Sequence, residues 1–187
     1  MGRHESILWT RLDIPGHEVS ELIQTPDGWE LHGVALFAHE KMPCRLEYDI
    51  RCDRDWITDT ATLDGIVGDQ VIAMEILRNP AGEWSLNGSK IWELTDCDDI
   101  DLNFSPCTNM LPIRRLDLAV GRSAPVRAAW VRFPRFNIEL LEQTYTRLGT
   151  DTYRYESANG KFRRDLTVDA EGFVLEYPGI WRAEVRT

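Results

Sequence analysis

Between Asp96 and Leu116 the chain reads DCDDIDLNFSPCTNMLPIRRL, the stretch whose residue types and spacing could do chemistry. From Asp99 the residue types alternate. Asp99, Asp101, Asn103 and Ser105 share one face of an extended chain, and Ile100, Leu102 and Phe104 share the other. Period-two alternation marks a half-buried strand. Its polar face would set two carboxylates, an amide and a hydroxyl in line. The Pro-punctuated segment that follows, Pro106 to Pro112, leads to the guanidinium pair Arg114 and Arg115. Such a set could frame a polar ligand. Carboxylates and amides suit sugar hydroxyls, and a guanidinium fork suits a phosphate or carboxylate. The same residues could equally form a solvated strand face with a salt bridge behind it. Asp99 and Asp101, with Cα atoms roughly 6.5–7 Å apart by strand rise, are compatible with glycosidic acid–base work, but so is any acidic pair at this spacing.

Other chemistry finds no motif. His4, His17, His32 and His39 show no metal-ligand spacing, and there is no GxSxG elbow, P-loop or GxGxxG. Asp99-x-Asp101-x-Asn103 begins like an EF-hand loop, but its sixth position is Phe104 instead of Gly and its twelfth is Met110 instead of Glu. No catalytic residue, metal or cofactor is therefore assigned. Cys44 and Cys52 fall in phase with Leu46, Tyr48 and Ile50 on one face of CRLEYDIRC. Eight residues apart on a strand, they lie about 26 Å from each other, beyond disulfide reach. With Cys97 and Cys107 they are expected to be reduced, buried thiols.

The 31 acidic residues outnumber the 21 basic ones, for a net charge of −10. That balance argues against nucleic acid, whose binders neutralise phosphates with a basic patch, and against electrostatic docking on anionic membranes. No apolar run approaches the roughly 18 residues of a membrane span. The N-terminal MGRHESILWTRL has no secretory pattern, so a cytoplasmic location is expected. Met1-Gly2 with Ser6 fits the loose myristoylation pattern, and Asn87-Gly88-Ser89 is a formal glycosylation sequon that equally makes an Asn-Gly turn. Oligomeric state has no signature in the sequence.

The elements that must position these residues are almost all strands. They are expected at Ser6–Leu12, Val19–Gln24, Trp29–Ala38, Arg45–Arg51, Ile57–Gly65, Val71–Arg78, Glu83–Leu86, Ile91–Leu94 and Ile100–Phe104, and again at Val126–Phe133, Glu139–Leu148, Thr152–Ser157, Lys161–Val168 and Phe173–Tyr177. Turn signals such as Pro26-Asp27-Gly28, Asn87-Gly88 and Asn159-Gly160 separate them, which favours an antiparallel meander. Met110–Val120 could make a short helix after Pro112, and Asn137–Gln143 another turn or two; either could also be strand. VALFA (34–38), VIAMEIL (71–77) and VRAAWVRF (126–133) are apolar on both faces, so both should be covered. A sheet achieves that by curling. The expected fold is mainly β: one domain over residues 1–187, an antiparallel sheet curved into a roll or incomplete barrel, with little helix. Seven tryptophans spread through the strands suit core packing, and Trp84 and Trp92 flank the Asn87-Gly88 turn as if to pair across it.

The long stretch DIDLNFSPCTNMLPIRRL (Asp99–Leu116), together with Tyr153-Arg154-Tyr155 and the C-terminal Glu176-Tyr177-Pro178-Gly179-Ile180-Trp181, resembles the bacterial family called "putative glycolipid-binding", formerly a domain of unknown function. The resemblance implies a spiral β-roll around an apolar interior, similar in shape to lipoprotein-localisation carriers and mycobacterial lipid-transfer lipoproteins. It implies no established catalytic residue. Three readings stand side by side. The first is an amphiphile-binding protein, with a glycolipid's acyl part inside the roll and Asp99, Asp101, Asn103, Asn109, Arg114 and Arg115 at the head group. The second is a small enzyme on a sugar- or lipid-like substrate, with Asp99 or Asp101 as acid/base. In the third, the arginines clamp acidic residues beneath the roll and the domain acts through a partner.

Overall fold

A computed structural model describes residues 3–187; the Met1-Gly2 start of the acylation pattern lies outside them. The first half of the chain forms β1 (His4–Arg11), β2 (Gly16–Gln24), β3 (Gly28–His39), β4 (Met42–Asp53), β5 (Thr58–Val67), β6 (Gln70–Arg78), β7 (Trp84–Leu86) and β8 (Ser89–Ile91). After a crossing come β9 (Asp99–Leu102), the helix α1 (Met110–Leu116), β10 (Ser123–Arg132), β11 (Asn137–Arg147), β12 (Thr152–Ser157), β13 (Phe162–Val168), β14 (Val174–Tyr177) and β15 (Trp181–Arg186). All fifteen strands belong to one sheet, in the order β8-β7-β6-β5-β4-β3-β2-β1-β15-β14-β13-β12-β11-β10-β9. The chain starts mid-sheet, walks out to one edge, crosses to the other and walks back. Every neighbouring pair is antiparallel except β9 with β10, which is parallel because the crossing delivers β9 to the far edge. The edges β8 and β9 do not pair, so the sheet is a curled roll and not a closed barrel.

The curl brings β9 against the far half of the sheet. The Thr58 N–H donates to Asp98 O at 2.9 Å. Along β9, the Ile100 N–H donates to Thr58 Oγ1 and the Leu102 N–H to Thr108 Oγ1, each at 3.2 Å. Asp99, Ile100 and Leu102 of β9 and Ala128, Ala129 and Val131 of β10 are all buried, so this edge winds inside the roll with both faces covered. The alternation therefore marks a strand that ends at Leu102: Asp99 is buried, Asp101 is half-buried, and Asn103, in the turn that follows, is exposed.

Elsewhere the sheet is covered on its inner face only. Leu36 in VALFA is 53% exposed and Val71 in VIAMEIL 76%, so two-sided coverage holds for the middle of VRAAWVRF and not for the other two segments. The inner face carries Cys44, Leu46, Tyr48, Ile50 and Cys52 as the alternation requires, and all four cysteines are buried and free. The interior is largely filled by the chain's own Phe104–Ile113 segment, in which Phe104, Cys107, Met110 and Leu111 are fully buried. The helix begins at Met110, before Pro112, because a proline in the first turn loses no helical hydrogen bond. It stops where Asp117 turns left-handed (φ 38°) and its N–H caps Ile113 O.

Other expectations shift locally. Asn137–Gln143 is strand throughout, within β11. Ile91–Leu94 is the end of β8 and a 3-10 turn, so Trp84 pairs with Ile91 and is buried while Trp92 points outward, 72% exposed. The unexpected strand is β15, which joins the two halves by pairing with β1. Among the described residues no helix is long and apolar enough to cross a membrane.

Candidate functional site

The six candidate residues separate into two groups, one around Asp99 and the other around Asp101, two residues further along β9. In the first, Arg115 of α1 reaches back to β9 and grips Asp99 with both arms, Nε donating to Oδ1 at 3.2 Å and Nη2 to Oδ2 at 2.5 Å. Asp99 is sealed from solvent. Burial pushes its carboxyl up, and the hydrogen bonds and charge of Arg115 oppose that rise. Asp98 beside it takes Nη2 of Arg78 at 2.9 Å, while Arg78 Nε donates to Cys97 O at 3.0 Å. Arg114 points elsewhere. Its guanidinium lies 5.1 Å from the Trp56 ring, which itself stacks on Trp29 at 4.4 Å, and Nη1 donates to Ala170 O at 3.2 Å. The two arginines thus tie α1 to the crossing segment, to the β4–β5 turn and to the β13–β14 turn.

The second group faces open space. Asp101, Asn103 and Asn109 line a cleft of about 500 Å³ whose walls include Phe104, Phe133, Tyr155 and Trp181. Asp101 receives Nε2 of the buried Gln143 at 2.6 Å on Oδ2 and has no cation beside it. Burial raises its carboxyl to about 6, the Gln143 hydrogen bond opposing and the charge of Asp99 adding to the rise. Asn109 donates Nδ2 to the buried Tyr145 hydroxyl at 2.8 Å, which fixes the amide's orientation. Arg11 and Asp13, on and just after β1, form the opposite lip. A groove of similar size, about 520 Å³, runs between residues 78–84 and 90–98. Its two cations are already matched, Arg78 with Asp98 and Lys90 with Glu83, with Lys90 also 3.8 Å from the Trp92 ring.

Sequence reasoning missed the residues behind the cleft wall. Glu18 of β2 is buried, and its Oε1 accepts from the Tyr48 hydroxyl at 2.7 Å and from Ser105 Oγ at 2.5 Å. Its Oε2 has no partner among the described residues. Burial raises this carboxyl to about 7, against the pull of Ser105, Tyr48 and the charge of Arg11. Ser105, which lines the cleft, is therefore held from behind by an acid that is half ionised at neutral pH. The Tyr48 ring reaches Glu18 over Gly33, its register partner on β3: a Cβ at Gly33 would meet the ring at 2.2 Å. A signal for both existed. Glu18 shares the inward phase of Ser20 and Leu22, and Gly33 that of Leu31, Ala35 and Phe37, so one puts a carboxyl and the other a gap on an inward face. Among the described residues no group of three or more His, Cys, Asp or Glu side chains could hold a metal ion.

A curled sheet wound inward at one edge, with an aromatic cleft along its flank, defines a barrel-like β-roll with room for a small ligand. The chain belongs to the family described as "Putative glycolipid-binding", whose model matches residues 6–183. It is similar to the crystal structure of a DUF1089 family protein from Pseudomonas aeruginosa, with 32% identity and a TM-score of 0.79, over 88% of this chain and 91% of that one. A beta-barrel-like protein of the domain of unknown function DUF1849 from Brucella abortus shares the fold at 9% identity, with a TM-score of 0.58 over 97% and 94% of the two chains. No curated protein matches.

Proposed function

We propose that the chain, acting as the single domain expected of residues 1–187, binds an amphiphile of the glycolipid kind. The apolar part lies along the aromatic wall of the cleft, and the polar head meets Asp101, Asn103 and Asn109. Asp99, Arg114 and Arg115 serve the same site indirectly, by holding β9 and α1 in place. The observation that carries this reading is the join of an aromatic-walled cleft to a carboxylate whose one protein partner is an amide. The interior of the roll is occupied by the chain's own side chains, so the acyl part belongs in this lateral cleft and not at the centre.

The test is mass spectrometry of an organic extract from natively purified protein. A stoichiometric amphiphile that is lost in Leu141→Arg, which puts a charge into the cleft wall, supports the reading. A clean extract, with no thermal shift from a glycolipid panel, removes it.

One observation favours a second reading. A carboxyl raised to about 6 in a concave site is suited to a general acid that protonates a leaving oxygen. Release of product from a chromogenic glycoside or ester panel, abolished by Asp101→Asn, would move enzymatic activity ahead.

A further inference from the structure

We infer that the cleft selects its ligand by head-group charge: it accepts an uncharged, hydroxyl-rich head and rejects phosphate, sulfate and carboxylate heads, with Asp101 and Asp13 setting the choice. This rests on the amphiphile reading of the same cleft.

The charge inventory carries the argument. Arg11 is the one cation lining the cleft among the described residues, and it is already taken. Its Nε donates to Asp13 Oδ1 at 3.1 Å and its Nη2 to Asp13 Oδ2 at 3.0 Å. The guanidinium is also held between the rings of Phe37 and Trp181, 4.9 Å from each. A bidentate carboxylate leaves little positive potential for a second anion. Arg114 and Arg115, the guanidinium groups best suited by sequence to an anionic head, lie outside this cleft.

Around Asp101 nothing offsets the charge. Asp99 on its own strand is matched by Arg115, and β11 supplies the neutral amide of Gln143 and the Tyr145 phenol. The facing groups of β12 and β14 are the Tyr155 and Tyr177 phenols, both driven further from ionisation by burial. Glu18 adds a partial negative charge behind Ser105. At neutral pH the cleft is thus negative, and an anionic head would lose its water without gaining a cation.

The hydrogen-bonding sense agrees. Asp101 offers an oxygen, and Asn109 has given one of its two N–H groups to Tyr145, which leaves the other N–H and its carbonyl for a ligand. Ser105 has committed its hydroxyl proton to Glu18. With the amides of Asn103 and Asn109 beside the Asp101 carboxylate, the wall both accepts and donates, as sugar hydroxyls do, and the flanking aromatic faces suit the apolar face of a sugar ring.

The experiment compares octyl glucoside with octyl phosphate, equal in chain length and below their micelle-forming concentrations, by tryptophan fluorescence at pH 7.5. The glucoside should bind at least about tenfold more tightly. Asp101→Asn and Asp13→Asn, each confirmed folded by circular dichroism, should raise octyl phosphate affinity and narrow the gap. Lowering the pH to 5, which protonates Asp101, should narrow it in the wild type. Equal or tighter binding of octyl phosphate by the wild type overturns the inference and leaves the amphiphile reading standing. So does a gap that neither variant changes, or tighter binding of octylammonium than of octyl glucoside. Binding of none of the three overturns both.

Discussion

Asp99 and Asp101 stand two residues apart on one strand, pointing to the same face, and they have opposite fates. Asp99 is sealed and gripped by a guanidinium; Asp101 opens on a cleft and is held by an amide. Burial pushes both carboxyls up, so desolvation does not separate them. The partner does. A charged partner turns a buried carboxylate into a clasp whose loss is costly. A neutral partner leaves charge and acceptor capacity unspent, which is what a binding site needs.

The contrast is sharpest if the clasp is broken. Arg115→Ala leaves Asp99 charged and unpaired in the interior, and should destabilise the fold by about 3–5 kcal/mol in urea unfolding. Adding Asp99→Asn to that variant should recover a large share of the loss, since the uncompensated charge is then gone. If Arg115→Ala costs less than about 1 kcal/mol, the clasp reading fails.

Glu18 extends the comparison to a sealed acid whose bonded partners are two hydroxyls, with the Arg11 charge acting on it without a bond. Its folded value, about 7, lies above the ordinary 4.5, so the folded chain holds this proton at a pH where the unfolded chain has released it. Its contribution to stability is complete below pH 4.5 and is lost as the pH rises through about 7, a change of about 3 kcal/mol. The fall in unfolding free energy between pH 4.5 and 7.5 should therefore be steeper in the wild type than in Glu18→Gln. Equal slopes would place the titration elsewhere.

Smaller effects follow. Arg114→Ala should lower stability by about 1 kcal/mol, through loss of its stack on Trp56 and one carbonyl bond. Asp101→Asn should act in the opposite direction and raise stability at pH 7.5, since the wild type alone carries a charge there above pH 6. Thermal melts of the two variants would check the order. A strongly destabilised Asp101→Asn would make Asp101 a second clasp.

Most of the fold was legible because strands announce themselves locally. The phase of Cys44 to Cys52, the Asn87-Gly88 turn (φ 48° and 78°) and most strand cores follow from near neighbours. What escaped depends on distant chain. Alternation shows that the chain is extended from Asp99, but not that it turns after Leu102 or that the curl seals Asp99 while leaving Asn103 exposed. Strand β15 lacks a clean alternating burial pattern and exists through its pairing with β1, far away in sequence. For the candidate site, the sequence located the right stretch but not how it divides. Arg114 and Arg115 are adjacent, yet helical geometry sends one to Trp56 and the other to Asp99.

The hydroxyls of Thr58 and Thr108 that take the Ile100 and Leu102 amides have a consequence for how copies of this chain meet. A sheet edge with free amides is a template for another chain. Here one rim is wound inside with those donors occupied, and the other, β8, is three residues long. A fifteen-stranded sheet thus ends without offering a long ladder to extend, which protects a surface dotted with bare Leu36 and Val71 from growing strand by strand into an aggregate.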